Sequence, residues 1–307
     1  MRPVLTLPVL AVALALAGCS GSGGSDPKRS AAPSAPAPTS AAPTPSPSSS
    51  PASSGEMYLA LGDSLAAGYQ PGGAELRDSA YPALAAGRLD RAGASLTVEN
   101  LACSGETTTS LLEGGRCDYD TGSQLDEAVA VLEENAGEVG LVSIDIGGND
   151  LLGCVGSDLT VDEPCVTRGL ASVTKNLPGV LDRLTAAAGP DVPVLVVGYY
   201  NPWLASGFLG RGADELAVAT RAFDSLDDAI EAAAEGSGAT YVSLAEAFAL
   251  DDETPTTFGG REVPTNVAQV CTLTFICTEA DIHLTGEGAA VVGREVADAA
   301  EAAGVGT

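Results

Sequence analysis

From Met57 onward, short apolar runs alternate with longer stretches of helical period. This alternation constrains the fold more than any other feature of the chain. "MYLALGD", "SLTVENLACSG", "EVGLVSIDIGGND", "DVPVLVVGYYNP" and "ATYVSLAEAF" read as strands. "SAYPALAAGRLDRAG", "SQLDEAVAVLEENAG", "GLASVTKNLPGVLDRLTAAAG", "ADELAVATRAFDSLDDAIEAAAEG" and "TGEGAAVVGREVADAAEAAG" read as helices. In the second of these, Leu125, Val129 and Leu132 keep the spacing of one helix face. Pro178 interrupts the third. The strand before Asn201 is almost wholly apolar, as expected when both faces of a parallel sheet are covered. Strands alternating with helices predict a single α/β domain. Such sheets bind ligands outside the carboxyl ends of their strands. Three polar turns fall there: Gly62-Asp63-Ser64, Cys103-Ser104-Gly105 and Gly147-Gly148-Asn149-Asp150.

The N-terminal region has a different composition. "MRPVLTLPVLAVALALAGCS" has a basic start and an apolar stretch too short for a comfortable membrane span. It reads as an export signal over residues 1–18. Its end, "LAGC", resembles the bacterial lipobox, which would make Cys19 a lipidated first residue of the mature protein. An ordinary signal peptide is the alternative. Residues 19–55 are rich in Ser, Pro and Ala with no apolar period, and read as a disordered tether. Residues 56–307 then form the folded domain. The chain carries 41 acidic and 14 basic residues, a formal net charge of -27. A phosphate backbone demands a basic footprint, so nucleic acid is excluded as a partner. The folded surface is equally unsuited to anionic lipid, which leaves the N-terminal lipid as the only membrane attachment.

Cysteine usage agrees with export. Besides Cys19 there are Cys103, Cys117, Cys154, Cys165, Cys271 and Cys277. Six cysteines allow 15 connectivities. These fall along the chain as close pairs, so sequential pairing is the economical expectation: Cys103–Cys117, Cys154–Cys165 and Cys271–Cys277. A metal site is the rival, but no C-x-x-C occurs and the chain has one His, so no metal is expected.

That His, His283, lies just before the final helix in "CTEADIHLTGEG". Acid–base chemistry by an imidazole has no other candidate. Ser64 is either a nucleophile or a helix cap, since Ser is a favoured N-cap. No G-x-G-x-x-G and no G-x-S-x-G is present, which disfavours a dinucleotide site and an α/β-hydrolase elbow. Asp63 suits a cap. Asp145 and Asp150 flank Asn149, and paired carboxylates could also serve a glycosidase. Trp203 and Tyr199–Tyr200 are either pocket or core aromatics.

Taken in order, "GDSL", the N-x-A-x-S-G turn at Asn100–Gly105, "GGND" and the Asp/His loop resemble the SGNH/GDSL hydrolase family, from about Tyr58 to Gly293. The six-cysteine pattern is similar to its secreted actinobacterial esterase and lipase branch. The resemblance implies a flavodoxin-like three-layer α/β/α fold around a mainly parallel five-stranded sheet. It also implies a cofactor-free monomeric enzyme that cleaves carboxylic esters through an acyl-Ser64 intermediate. Its substrate would be an acyl lipid or an acylated glycan. A carbohydrate O-acetylesterase and a non-catalytic surface binding protein are the alternatives. Position by position, Ser64 would be nucleophile and first oxyanion donor, Gly105 and Asn149 the other donors, and His283 the general base. One position departs from the family. Its acid stands three residues before the His, where this chain has Ala280; the Asp is Asp281, two before. Asp281 is therefore either the third triad member or the residue near whose carbonyl His283 is held. Leu284 also replaces the family's Pro after the His.

Overall fold

The buried strands are those whose sequence is continuously apolar. A computed structural model describes residues 56–156, 160–208 and 213–306. In it β1 (Met57–Gly62), β2 (Thr97–Asn100), β3 (Val139–Asp145), β4 (Val194–Val197) and β5 (Thr240–Val242) form one sheet in the order β2-β1-β3-β4-β5. All pairings are parallel. Every residue of β3 and β4 is buried, because helices cover both faces. β2, at one edge, alternates exposed and half-buried residues. The order reverses between β1 and β3, so a crevice opens beyond their carboxyl ends. The expected five-stranded α/β/α fold is what forms. β5 is shorter than its apolar run suggests, because the Ser243 hydroxyl accepts the Ala245 amide and turns the chain.

The helices are α1 (Ser64–Ala67), α2 (Tyr81–Ala92), α3 (Thr108–Glu113), α4 (Gln124–Glu134), α5 (Gly148–Leu152), α6 (Glu163–Ala188), α7 (Ala213–Gly236), α8 (Thr265–Leu273), α9 (Ile276–Glu279) and α10 (Gly286–Ala302). α2 and α10 pack together, while α6 packs between α4 and α7. α10 buries Ala289, Val292, Gly293, Val296, Ala297 and Ala300, one face at helical spacing. Gly293 permits the close approach: a Cβ there would lie 3.0 Å from the Tyr81 carbonyl oxygen and from Leu84 Cβ. Each Val or Leu buried on these faces contributes about 1.5–3 kcal/mol.

Two departures from the sequence reading stand out. Pro178 lies inside α6 and does not end it. Proline leaves the carbonyl four residues back without its donor, but Thr174 is exposed and water can serve that oxygen. Beyond β5, an antiparallel hairpin of β6 (Pro255–Phe258) and β7 (Arg261–Pro264) precedes α8.

The cysteines pair sequentially, Cys103–Cys117, Cys154–Cys165 and Cys271–Cys277. Cys103 follows β2, Cys154 follows α5, and Cys277 lies in α9 before His283. Each bridge thus staples one polar rim segment. The leader over 1–18, the tether over 19–55 and Cys19 lie outside the described residues. Among those described, no helix is long and apolar enough to cross a membrane.

Candidate active site

β1 ends at Gly62, and α1 begins two residues later. The cap of α1 is Asp63, whose Oδ1 accepts the Leu65 amide at 3.0 Å. Ser64 is therefore the first helical residue and not the cap. Gly62 has φ 132°, and a Cβ there would lie 2.5 Å from the Asp145 carbonyl oxygen. Only glycine suits both the conformation and the contact.

The His loop meets this turn across a separation of 219 residues. His283 Nε2 lies 2.9 Å from Ser64 Oγ. His283 Nδ1 lies 2.5 Å from Asp281 Oδ1, and the same oxygen accepts the His283 backbone amide at 2.9 Å. A carboxylate can only accept, so Nδ1 carries the proton and Nε2 accepts from the Ser64 hydroxyl. The shortened Asp–His spacing works because the Asp281 side chain folds back in an Asx turn on His283. Ala280, with φ 53°, supplies the preceding reversal. Three contacts hold the loop: the Tyr200 hydroxyl donates to the Ile282 carbonyl, the Phe275 amide donates to the His283 carbonyl at 3.0 Å, and the Tyr69 ring lies 4.3 Å from the imidazole.

The other two polar turns converge on the same place. Gly105 follows β2 with φ 80°, and the Arg116 guanidinium occupies the space a Cβ would need, 2.0 Å from it. Asn149 is the second residue of α5; its Nδ2 donates to the Glu106 carbonyl at 2.9 Å and to Asp63 Oδ2 at 3.2 Å. Both amide protons thus have acceptors, and an oxyanion would have to draw one away. The Asp63 contact is the longer, and Asp63 Oδ2 would keep the Tyr199 hydroxyl at 2.7 Å.

Beneath the Ser64 turn lies fully buried Asp145. It accepts from the Tyr81 hydroxyl at 2.7 Å and the Asp63 amide at 3.3 Å. Burial, reinforced by the charge of Asp63, holds its carboxyl well above the usual carboxylate range. Asp150 accepts from the Thr108 amide at 2.8 Å and hydroxyl at 2.7 Å, locking α5 to α3, and burial raises its pKa as well. These contacts give Asp145 and Asp150 structural partners. Among the described residues, no group of His, Cys, Asp or Glu could hold a metal ion.

An apolar cavity opens beside Ser64, with roughly 680 Å³ of space including its mouth. Tyr199, Tyr200 and Trp203, flagged in the sequence, line it with Leu151, Phe223 and Leu226. On the other side of Ser64 a second cleft is bordered by Tyr69, Gln70, Leu76, Ser79 and Thr285. Phe223 and Leu226 gave no sequence signal, because an apolar helix face reads as core whichever surface it meets. Asp63 was read as capping or orienting its own turn; its contact with Asn149 spans 86 residues.

The sequence pattern of the GDSL-like lipase/acylhydrolase family matches residues 60–291. The chain belongs to that family. No curated protein matches it in sequence. Among solved structures, an extracellular lipase from Streptomyces rimosus is similar at 24% identity and a TM-score of 0.54, covering 80% of this chain and 99% of its own. A phospholipase A1 from Streptomyces albidoflavus is 25% identical with a TM-score of 0.43, covering 70% and 94%. The first likeness is one of fold: this domain has the SGNH hydrolase architecture of the family, with three disulfides.

Proposed function

We propose that this family hydrolase cleaves carboxylic esters by acyl transfer through Ser64. The observation that carries the reading is the run Asp281 Oδ1–His283–Ser64 Oγ, with contacts of 2.5 and 2.9 Å. His283 takes the Ser64 proton as Oγ attacks the ester carbonyl, and Asp281 stabilises the imidazolium. The oxyanion is received by the backbone amides of Ser64 and Gly105 and the amide of Asn149, each donor contributing about 3–4 kcal/mol in the transition state. His283 returns its proton to the departing alcohol. Water, activated the same way, then releases the acid.

The apolar cavity favours an acyl chain longer than acetyl. Its apolar lining, with Leu151, Phe223 and Leu226 beside the tyrosines, rewards each methylene of a longer chain by about 0.8 kcal/mol on leaving water. Rates on p-nitrophenyl esters from acetate to laurate test this. Maximal kcat/KM is expected on esters longer than acetate. A maximum at acetate, with release of acetate from acetylated glycans, would favour the O-acetylesterase. No turnover of any ester would favour the non-catalytic binding protein. We propose further that the enzyme acts outside the cytoplasm, as its disulfides favour, tethered through a lipidated Cys19. Radioactive palmitate should label the wild type and not Cys19→Ala; equal labelling of both would contradict the anchor.

A further inference from the structure

Three segments carry the proposed reacting groups: Gly62–Ser64, Gly105–Glu106 and Asn149. Hydrogen bonds through two further side chains, Gln124 and Glu106, join them in a ring that closes through the Gly62–Asp63 peptide. Gln124, fully buried at the start of α4, pairs with both backbone groups of Gly62: its Oε1 accepts the Gly62 amide at 2.7 Å and its Nε2 reaches the Gly62 carbonyl at 3.1 Å. The side chain thus continues the sheet past the end of β1, as another strand would. The same Nε2 lies 3.2 Å from Glu106 Oε2 and 3.0 Å from the Tyr119 hydroxyl. From Glu106 the ring returns through its carbonyl to Asn149, and through Asn149 to Asp63.

Glu106 is a costly residue in this place. It is 1% exposed, and its Oε1 has no hydrogen-bond partner within ordinary distance, although the Ser110 side chain of α3 lies close enough to favour the charged form. Desolvation raises its pKa and the nearby charge of Asp63 adds to that, while Ser110, the Arg116 guanidinium and Gln124 oppose it. A buried oxygen without a good partner carries an uncompensated desolvation cost, which packing alone would avoid with an apolar residue. Local rules of this kind fail most often where a site demands it.

We propose that Gln124 and Glu106 are positioning residues, a buried clamp that holds the nucleophile turn and the oxyanion turn at their working separation. The inference rests on Ser64, Gly105 and Asn149 acting as proposed above. Loosening the clamp displaces donors from the developing oxyanion without removing the substrate cavity. It therefore lowers kcat and spares KM, and a misplacement near 1 Å costs on the order of a hundredfold.

The test measures kcat and KM per active site, with sites counted by stoichiometric fluorophosphonate labelling, in Gln124→Ala, Glu106→Ala, the double variant and Glu106→Gln. Each alanine variant should lose roughly ten- to a hundredfold in kcat at nearly unchanged KM. The double variant should be no worse than the more impaired single one, since the two act as a unit. Glu106→Gln keeps an acceptor for Gln124 Nε2 and should restore most of kcat. Activity that falls only in proportion to labelled sites would overturn the clamp, because the loss would be one of folding. So would independent, multiplying losses in the double variant, or a Glu106→Gln enzyme as impaired as Glu106→Ala. If Gln124→Ala does not fold, the Glu106 pair decides alone. An inactive wild type would instead sink the enzymatic reading.

Discussion

Asp281 reaches His283 from one residue closer in the chain than the family's usual acid. Its Oδ1 serves the imidazole Nδ1–H and the His283 amide together, so the side chain is held by the residue it orients. An Asn at this position can keep the amide contact, yet it supplies no charge for the imidazolium. Asp281→Asn should therefore lower kcat by two to four orders of magnitude, roughly as in other triads, with circular dichroism unchanged. Activity within a few-fold of wild type would mean that a backbone carbonyl orients His283. The side-chain arrangement could not be settled from the sequence, because it depends on the turn that Ala280 makes. Ser64, Gly105, Asn149 and His283 were legible as ordered motifs. Gln124 and Glu106 were not, because their contacts to Gly62 and to each other span 62 and 18 residues and no local pattern encodes them.

Asp145 is a second residue whose behaviour follows from its surroundings. Its folded pKa lies well above the ordinary 3.8, so the folded state holds its proton more tightly than the unfolded chain. The resulting stabilisation is fully present below the unfolded pKa and is lost as pH rises through the raised folded value. Asp145→Asn does not titrate. In urea denaturation, the wild type should lose ground to Asp145→Asn as pH increases from the acid range. A difference independent of pH would show that folding leaves the pKa of this carboxyl unshifted.

At the scale of elements, the five long helices and five strands were legible because hydrophobic periodicity encodes them. The hairpin β6–β7 was overlooked despite a local signal: Gly259 and Gly260, at φ 57° and 75°, form a two-residue turn between β-prone residues. Pro178 was given too much weight as a breaker. Packing of Val173, Leu177, Val180 and Leu181 against the core carries α6 through it. Pro178→Ala restores a backbone donor and should stabilise the protein by about 1–3 kcal/mol, read as a higher urea midpoint at unchanged m-value. A lower midpoint would show that the proline's own packing outweighs the missing hydrogen bond.

For the whole molecule, the doubly wound sheet explains why such distant residues share one site. The rim beyond β1 and β3 gathers segments from near both ends of the domain, and the disulfides pin three of them. The central claim is that Ser64 is the nucleophile, activated by His283. Reaction of the purified protein with a fluorophosphonate, followed by intact mass and peptide mapping, tests it most directly. One adduct on Ser64 is expected in the wild type, a much slower reaction in His283→Ala, and none in folded Ser64→Ala. Labelling that persists in Ser64→Ala, or a folded wild type that takes no label, would contradict the account.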